Sequence, residues 1–265
     1  MNKKEKVLTA LFMLCQKNEN YQFDNKLVKK IAQKYQFGNP FDATKIDNKE
    51  KLPAILKEND FAIIHLGDGK HQFIKGINLV YHQFEPIENI IKWEYQKSLL
   101  NLYNTSESNI LSVANNQRIL HHFLFGKDTE FNDIDIFKRP KTYFPHRTKT
   151  NFSYLLSQDI LVNLENIQIE IDLTIEYQGT IGVFEAKNGQ PDNFAIYQIY
   201  HPFLYYYEAK KDKNINDKLK KIICVYLVRN TKTNDIHLWA YTFSNPYDIS
   251  SIKFLKSATY QLIQK

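Results

Sequence analysis

Charged side chains are concentrated within two apolar runs of the sequence between positions 169 and 187. Four of them could act together, namely Glu170, Asp172, Glu185 and Lys187. The dipeptide Gln178-Gly179 separates the two runs and predicts a tight hairpin turn, in which Tyr177 pairs with Thr180. In that register Asp172 lies opposite Glu185, and Glu170 lies opposite Lys187. Because side chains alternate along a strand, all four would share one face of the sheet.

Two carboxylates that face each other across a hairpin repel unless a cation lies between them. Asp172, Glu185 and the carbonyl group of Ala186 would offer Mg²⁺ the hard oxygen ligands that it prefers. Lys187 would approach the same region, and Glu170 is a candidate for a second metal or an outer carboxylate. A metal that polarises the phosphate, a water that attacks it and a lysine that offsets the developing charge are the groups that phosphodiester hydrolysis requires. The alternative interpretation is a set of surface charges on a solvated sheet face.

The residues Asp172 and Glu185-Ala186-Lys187, at the end of an apolar strand pair, resemble the motif of the PD-(D/E)XK nuclease superfamily. The sequence is particularly similar to type II restriction endonucleases, over about positions 105–230. The predicted order of helix, three antiparallel strands, helix and strand matches the core of that superfamily. Ile171 stands where the family usually has proline, a departure that removes no metal ligand. Gln198, on the following predicted helix, corresponds to a glutamine found in some members.

The resemblance implies a restriction-endonuclease-like fold, a mixed β-sheet flanked by helices. It implies that Asp172 and Glu185 hold Mg²⁺, that Lys187 positions or activates water, and that Gln198 supports the site. The expected activity is sequence-specific cleavage of double-stranded DNA, leaving 5′-phosphate and 3′-hydroxyl ends. The expected partners are a second copy of the chain and a cognate DNA methyltransferase encoded nearby. The alternatives are a repair or transposon-associated nuclease on the same core, or a non-catalytic DNA-binding regulator.

A basic segment at 138–149 carries no acidic residue and interleaves its charges with aromatic and hydroxyl side chains. Its candidate DNA contacts are Lys138, Arg139, Lys141, His146, Arg147 and Lys149. Arginine suits phosphates and guanine edges, whereas lysine acts as a point charge. Asn116, Gln117 and Arg118 form a second candidate for base contact, although helix capping explains the asparagine equally well. A solvated basic loop is the alternative interpretation of the segment at 138–149.

The order of the predicted elements divides the chain into two regions. Residues 1–85 read as three helices followed by a hairpin at Gly67-Asp68-Gly69-Lys70, the order of a winged helix that binds DNA or serves as an accessory unit. Residues 86–265 read as an α/β catalytic domain. Here a single helix is predicted over 110–124, a continuous strand over 169–177, an aromatic-rich helix over 194–210 and a buried strand over 222–228.

Composition narrows the class of protein. The 265 residues include 43% hydrophobic and 24% charged residues, so there is enough apolar material for a sizeable core. Only two cysteines are present, which excludes a disulfide framework and a four-thiolate zinc site. The absence of a long apolar run predicts a cytoplasmic protein without a membrane span. The net charge of +6 is compatible with a polyanionic partner.

Overall fold

The computed structural model describes residues 1–96, 99, 106–126, 134–189 and 191–265. Its helices are α1 (Lys3–Lys17), α2 (Asn25–Lys34), α3 (Ala54–Glu58), α4 (Ile77–Val80), α5 (Glu107–Asn116), α6 (Ile119–Phe125), α7 (Tyr197–Glu208) and α8 (Lys213–Asn216). Its strands are β1 (Gln22–Asp24), β2 (Phe61–Gly67), β3 (Lys70–Lys75), β4 (Tyr81–Gln83), β5 (Ile90–Tyr95), β6 (Lys141–Tyr143), β7 (His146–Ser157), β8 (Ile160–Ile171), β9 (Leu173–Tyr177), β10 (Thr180–Asn188), β11 (Asn193–Ala195), β12 (Lys221–Arg229), β13 (Ile236–Phe243) and β14 (Ile252–Gln264). Among these residues, no helix is long and apolar enough to cross a membrane.

The amino-terminal residues contain the three helices and the hairpin that the sequence predicts. Asn2 and Glu5 form a capping box at the start of α1, and the Asp24 carboxylate accepts the backbone N–H of Leu27 at the start of α2. Strands β2 and β3 form the hairpin, and β1 adds to its edge in the order β1-β3-β2. The apolar sides of these helices pack into the same hydrophobic cluster as α7 and β12.

A large mixed sheet, here called the main sheet, forms the centre of the remaining chain. Within the described residues it has seven strands, in the order β5-β14-β13-β12-β10-β9-β6. Strands β10 and β12 are parallel, with α7 in the connection between them, whereas β9 and β10 are antiparallel. This architecture is mixed α/β with helices on the sheet, as the sequence predicts.

Helices cover both faces of the main sheet and create two apolar layers. One layer contains α5 and α6 together with the buried residues Ile175, Phe184 and Val225 of the sheet. The other contains α7, the amino-terminal helices and the opposite side of the sheet. Alternation along β10 therefore sends Phe184 and Ala186 towards α5 and α6, while Glu185 lies on the face covered by α7.

The prediction of a single helix over 110–124 is wrong, because α5 ends at Asn116 and α6 begins at Ile119. Arg118 between them has a φ of 62°, in the left-handed region, which a continuous helix does not allow. The first turn of α5 also begins earlier than predicted, at Glu107 after the N-cap Ser106.

Strands β7 and β8 form a two-stranded antiparallel hairpin, here called the arm, that continues from the edge of the main sheet. On the sheet side of the junction Tyr143 pairs with Thr174, and on the arm side His146 pairs with Ile171. The same register thus continues across the junction, where Phe144 and Pro145 lie opposite Leu173 and Asp172. Because Pro145 has no N–H group, it cannot donate to a ladder hydrogen bond at this point.

The prediction of a continuous strand over 169–177 is therefore wrong, since the chain is divided at Asp172 into β8 and β9. The predicted register of the second half is confirmed, because Tyr177 pairs with Thr180 and Leu173 with Phe184. The predicted pairing of Glu170 with Lys187 is wrong. Glu170 belongs to the arm and pairs with Arg147.

Candidate active site

A cavity of about 850 Å³ lies between the amino-terminal residues, the arm and the start of α7. Asp172, Glu185 and Lys187 line it together with Gln198. The fold brings these residues together because Asp172 lies at the division between β8 and β9, while β10 presents Glu185 and Lys187 on the face covered by α7. Four of the residues predicted for the site therefore share one concave surface.

Asp172, immediately before the start of β9, is held by a hydrogen bond from the neighbouring strand β10. Its Oδ2 accepts the backbone N–H of Ala186 at 3.1 Å. Burial raises the pKa of the Asp172 carboxyl, while the Ala186 N–H and the Lys187 charge oppose that rise. Among the described residues, the other carboxylate oxygen of Asp172 has no hydrogen-bond partner, and it is not fully buried.

Glu185 is only 9% exposed. Burial raises the pKa of its carboxyl to about 8, and the negative charge of Asp172 acts in the same direction, whereas Lys187 opposes both. One oxygen, Oε1, accepts two hydrogen bonds, from Gln198 Nε2 at 2.8 Å and from Lys187 Nζ at 2.7 Å. Within the described part of the chain, the second oxygen has no hydrogen-bond partner.

Lys187 lies between two carboxylates. Its Nζ is 2.7 Å from Glu185 Oε1 and 3.3 Å from Glu107 Oε2, at the first turn of α5. Burial lowers the pKa of the Lys187 ammonium, but the adjacent carboxylates outweigh that effect and raise it above its ordinary value. Lys187 therefore remains positively charged at neutral pH.

Gln198 connects Glu185 to Tyr226 on β12, the strand that pairs with β10. Its amide accepts the hydroxyl of Tyr226, on β12, at 3.4 Å and donates to Glu185. This chain of bonds fixes which end of the Gln198 amide faces the carboxylate. It also explains how α7, the helix between β10 and β12, holds the Glu185 side chain in one orientation.

Glu170 lines the cavity but does not join the cluster around Lys187. Its carboxylate lies 3.1 Å from Arg147 Nε and accepts the side-chain amide of Gln168 at 2.9 Å. The structure thus gives Glu170 a partner on the arm in place of Lys187.

The basic segment at 138–149 is divided between two places. Lys149 lies on the arm and lines the cavity, and Arg147 and His146 precede it on β7. Lys138, Arg139 and Lys141 instead line a shallow second depression of about 340 Å³ beside the β9–β10 turn. The predicted contacts therefore do not form a single continuous patch at the site.

The second candidate for base contact lies at the end of α5. The carbonyl of Gln117 accepts the indole N–H of Trp93 at 2.9 Å, and the Gln117 amide donates to Gln96. None of Asn116, Gln117 and Arg118 is among the described residues that line the cavity. The structure thus gives Gln117 a role in joining α5 to β5.

Two comparisons with known proteins found no match: no curated protein and no solved structure matches the chain. Two family models do match. Residues 76–261, more than half of the chain, match the model described as Domain of unknown function (DUF6997). The chain belongs to the DUF6997 family. Residues 5–73 match a second model, Domain of unknown function (DUF6996).

The cavity draws its wall from both matched segments. The DUF6997 segment supplies Asp172, Glu185, Lys187 and Gln198, and the DUF6996 segment supplies Lys45 and the hairpin turn at 67–70. Sequence reasoning missed the amino-terminal contribution, because nothing local in those residues indicates where they dock.

Sequence reasoning also missed Glu107 of the DUF6997 segment. A detectable signal was present, because Ser106 followed by Glu107 has the composition of a helix start. Glu107 reaches Lys187 only because α5 lies across the sheet with its amino-terminal end at the cavity. The sequence distance of 80 residues conceals that contact.

Proposed function

We propose that this chain is a Mg²⁺-dependent endonuclease of the PD-(D/E)XK type that hydrolyses phosphodiester bonds in double-stranded DNA. The observation that carries the proposal is the convergence of Asp172, Glu185 and Lys187 on one cavity wall. A charge set of two carboxylates and one lysine on adjacent strands suits phosphate chemistry. A winged-helix-like role for residues 1–85 belongs to the same proposal.

The donor set fits a hard divalent cation. No group of three His, Cys, Asp or Glu side chains suited to a metal is found in the described residues, so such an ion would rely on backbone and water oxygens as well. Among the described residues, Asp172 and Glu185 each keep one carboxylate oxygen without a hydrogen-bond partner, and the carbonyl of Ala186, the residue after Glu185, is a further oxygen donor. Six oxygen ligands, several of them water, are the usual environment of Mg²⁺. When bound, the ion would polarise the phosphate and lower the pKa of a water.

The other steps of the proposed reaction would depend on side chains of the protein. Lys187, charged and fixed by Glu185 and Glu107, offers N–H groups to a water or to a phosphate oxygen and offsets developing negative charge. Gln198 keeps Glu185 oriented. Lys149, exposed on the arm at the cavity, adds positive charge for the phosphate backbone. Attack by water in line with the leaving 3′-oxygen would leave a 5′-phosphate and a 3′-hydroxyl.

Incubation of the purified chain with plasmid and genomic DNA, in Mg²⁺ or in EDTA, tests the proposal. We expect metal-dependent cleavage, with discrete fragments for a sequence-specific restriction enzyme and a smear for a non-specific repair or transposon-associated nuclease. Lys187→Met should remove the activity, and Lys253→Met, at an exposed lysine of β14, serves as the matched control. Intact DNA under every condition would contradict the nuclease and favour the DNA-binding regulator.

The partners expected with a restriction enzyme form a separate part of the proposal. A palindromic target would be matched by a two-fold dimer of this chain. A methyltransferase encoded nearby would protect the host DNA. Light scattering of the purified chain, with and without DNA, tests the dimer independently of cleavage.

A further inference from the structure

Two of the lysines at the cavity differ from the others in their surroundings. Six lysines are among the described residues that line it. Four of these each form an ion pair with a carboxylate, namely Lys4, Lys51, Lys70 and Lys187. The other two, Lys45 and Lys149, are exposed, and within the described residues neither ammonium group has a hydrogen-bond or ion-pair partner. These two positive charges are therefore available to an anionic ligand.

The two lysines come from different matched segments of the chain. Lys45 lies in the DUF6996 segment, between α2 and α3, whereas Lys149 lies on β7 in the DUF6997 segment. Both line the cavity that also contains Asp172. A ligand that contacts both lysines would thus contact both segments.

The side chain of Lys45 is exposed on a fixed backbone. Its neighbours Thr44 and Ile46 are buried, so the backbone between them is held in place. The ammonium of Lys45 acts on His65, another residue of the cavity wall. Burial lowers the pKa of His65 to about 3, and the charges of His71 and Lys45 act in the same direction. The charge of Lys45 therefore lies at the cavity.

The loop that contains Lys45 is attached to the chain just before α7. The carbonyl of Asp47 accepts the backbone N–H of Ala195 at 2.8 Å. Ala195 lies shortly before Gln198, whose amide is 2.8 Å from Glu185. Lys45 and the candidate catalytic wall are thus held in one arrangement, as a preorganised binding site requires.

The spacing of phosphates in DNA allows one molecule to contact several points of the cavity. Each strand of a duplex carries one phosphate per roughly 3.4 Å of helix axis. A strand with one phosphate at Asp172 therefore presents several more within roughly 10 Å of helix axis on either side. Lysine attracts such phosphates as a point charge, whatever the base sequence.

We propose that Lys45 binds a backbone phosphate of DNA that lies in the cavity, so that the DUF6996 segment completes the substrate site of the DUF6997 segment. The proposal rests on the proposed nuclease function and assigns part of substrate binding to the amino-terminal residues. Lys149 contacts the same DNA from the arm. Because phosphate contacts carry no sequence information, Lys45 contributes affinity and not sequence preference.

Fluorescence anisotropy with a short labelled duplex in EDTA measures this contact without cleavage. Lys45→Gln should weaken binding by roughly five- to tenfold at about 0.1 M salt and reduce the slope of log K against log salt by roughly 0.9. Lys45→Arg keeps the charge and should retain the affinity and the slope. Lys75→Gln is the matched control, since Lys75 is an exposed lysine of the same segment, on β3, and is not among the described residues that line the cavity.

Plasmid cleavage in Mg²⁺ separates phosphate binding from catalysis. Lys45→Gln should raise KM and leave kcat unchanged, because its contact is the same before and during the reaction. Lys187→Met should instead remove the chemical step. A double variant of Lys45→Gln and Lys149→Gln should lose both contributions to the salt slope additively, as independent contacts do.

Four results would overturn the phosphate contact. They are no binding of the duplex by the wild-type chain, an unchanged slope in Lys45→Gln, an equal reduction in Lys75→Gln, and a loss in Lys45→Arg as large as in Lys45→Gln. Cleavage by the wild-type chain is scored separately. Cleavage with an unchanged slope in Lys45→Gln would reject the contact and leave the nuclease standing. A reduced slope without any cleavage would reject the nuclease and keep the contact.

Discussion

The chain segment that runs from β8 into β9 has different neighbours on the two sides of Asp172. On one side, β9 lies inside the main sheet between β6 and β10, and its Leu173 and Ile175 are buried against α5 and α6. On the other side, β8 has β7 as its partner in the arm, and Glu170 is largely solvated beside Arg147. Two acidic residues two positions apart thus have different environments.

This difference teaches that the environment of a carboxylate depends on the sheet to which its strand belongs. Asp172 is held by a backbone bond from β10, close to Glu185 and Lys187. Glu170, on the same predicted face, is neutralised by an arginine of the arm. We expect substitutions on the two sides to have different consequences.

The largest effect is expected from the acidic residues themselves. Asp172→Ala or Glu185→Ala should lower cleavage by roughly a thousandfold or more, because the metal would lose a ligand. DNA binding should persist, since neither substitution removes a positive charge that attracts the phosphates. Glu170→Ala should change cleavage by less than roughly tenfold, since its partner is Arg147. Plasmid cleavage rates with equal protein concentrations measure all three, and an equal loss in Glu170→Ala would remove the distinction between the two sides.

The next effect concerns the turn that fixes the main-sheet side. Gly179 has a φ of +84°, and a Cβ at this position would collide with the Lys218 carbonyl oxygen. Gly179→Ala should therefore lower the free energy of unfolding by about 2–4 kcal/mol. Gly38→Ala, where an added Cβ would meet no atom within 4 Å, should change it by less than about 0.5 kcal/mol. Urea denaturation compares the two variants, and equal midpoints would show that the turn does not determine the hairpin.

A smaller effect is expected from pH, through the contact between the arm and α7. The hydroxyl of Tyr154 lies 3.1 Å from Nε2 of the buried His201, and burial lowers the pKa of His201 to about 3. The unfolded chain, with an ordinary histidine pKa of about 6.5, then binds the proton more readily than the folded one. The contribution of the neutral His201 to the free energy of unfolding is thus fully present above pH 6.5, and it decreases as the pH falls towards 3. At pH 5.5 the loss is about 1.4 kcal/mol.

Urea denaturation at pH 7.5 and at pH 5.5 measures that loss. His201→Gln should reduce the difference between the two midpoints, because the glutamine side chain does not titrate in this range. His146→Gln, at a partly exposed histidine of β7, is the control. An unchanged pH dependence in His201→Gln would show that another group carries it.

The smallest effect compares two lysines of the basic segment. Lys149 lies on the arm beside the cavity, whereas Lys141 pairs across the main sheet with Glu176. Lys149→Gln should reduce the slope of log K against log salt by roughly one phosphate contact, and Lys141→Gln should reduce it less. Titrations of duplex DNA at several salt concentrations measure both slopes, and a larger change in Lys141→Gln would place the duplex along the β9–β10 turn instead.

Local signals account for the parts of the structure that the sequence predicted. The Gln178-Gly179 turn determines the register of β9 and β10, and with it the placement of Asp172 near Glu185. Asp24 signals the start of α2 through its capping bond to Leu27. These features depend on residues within a few positions of each other, which a pattern in the sequence can represent.

The errors come from partners that are distant in sequence. Periodicity cannot show that Pro145 interrupts the ladder opposite Asp172, because the two residues are 27 positions apart. Nor can it show that Glu107 reaches Lys187 or that Arg147 pairs with Glu170. The helix break at Arg118 escaped detection for a different reason, since a left-handed arginine has no compositional signature.

The bonds between the loop at 47–50 and β11 have a consequence for synthesis of the chain. The backbone N–H of Lys49 donates to the Asn193 side chain, 144 residues later, and the Asp47 carbonyl accepts the N–H of Ala195. At roughly 5–20 residues per second, a ribosome needs roughly 7–30 seconds to make that length. During this interval the amino-terminal helices and their hairpin have left the ribosome without the surface against which they are finally buried. Until β11 and α7 have been made, the apolar side chains of the amino-terminal helices thus lack part of the hydrophobic cluster that buries them in the folded chain.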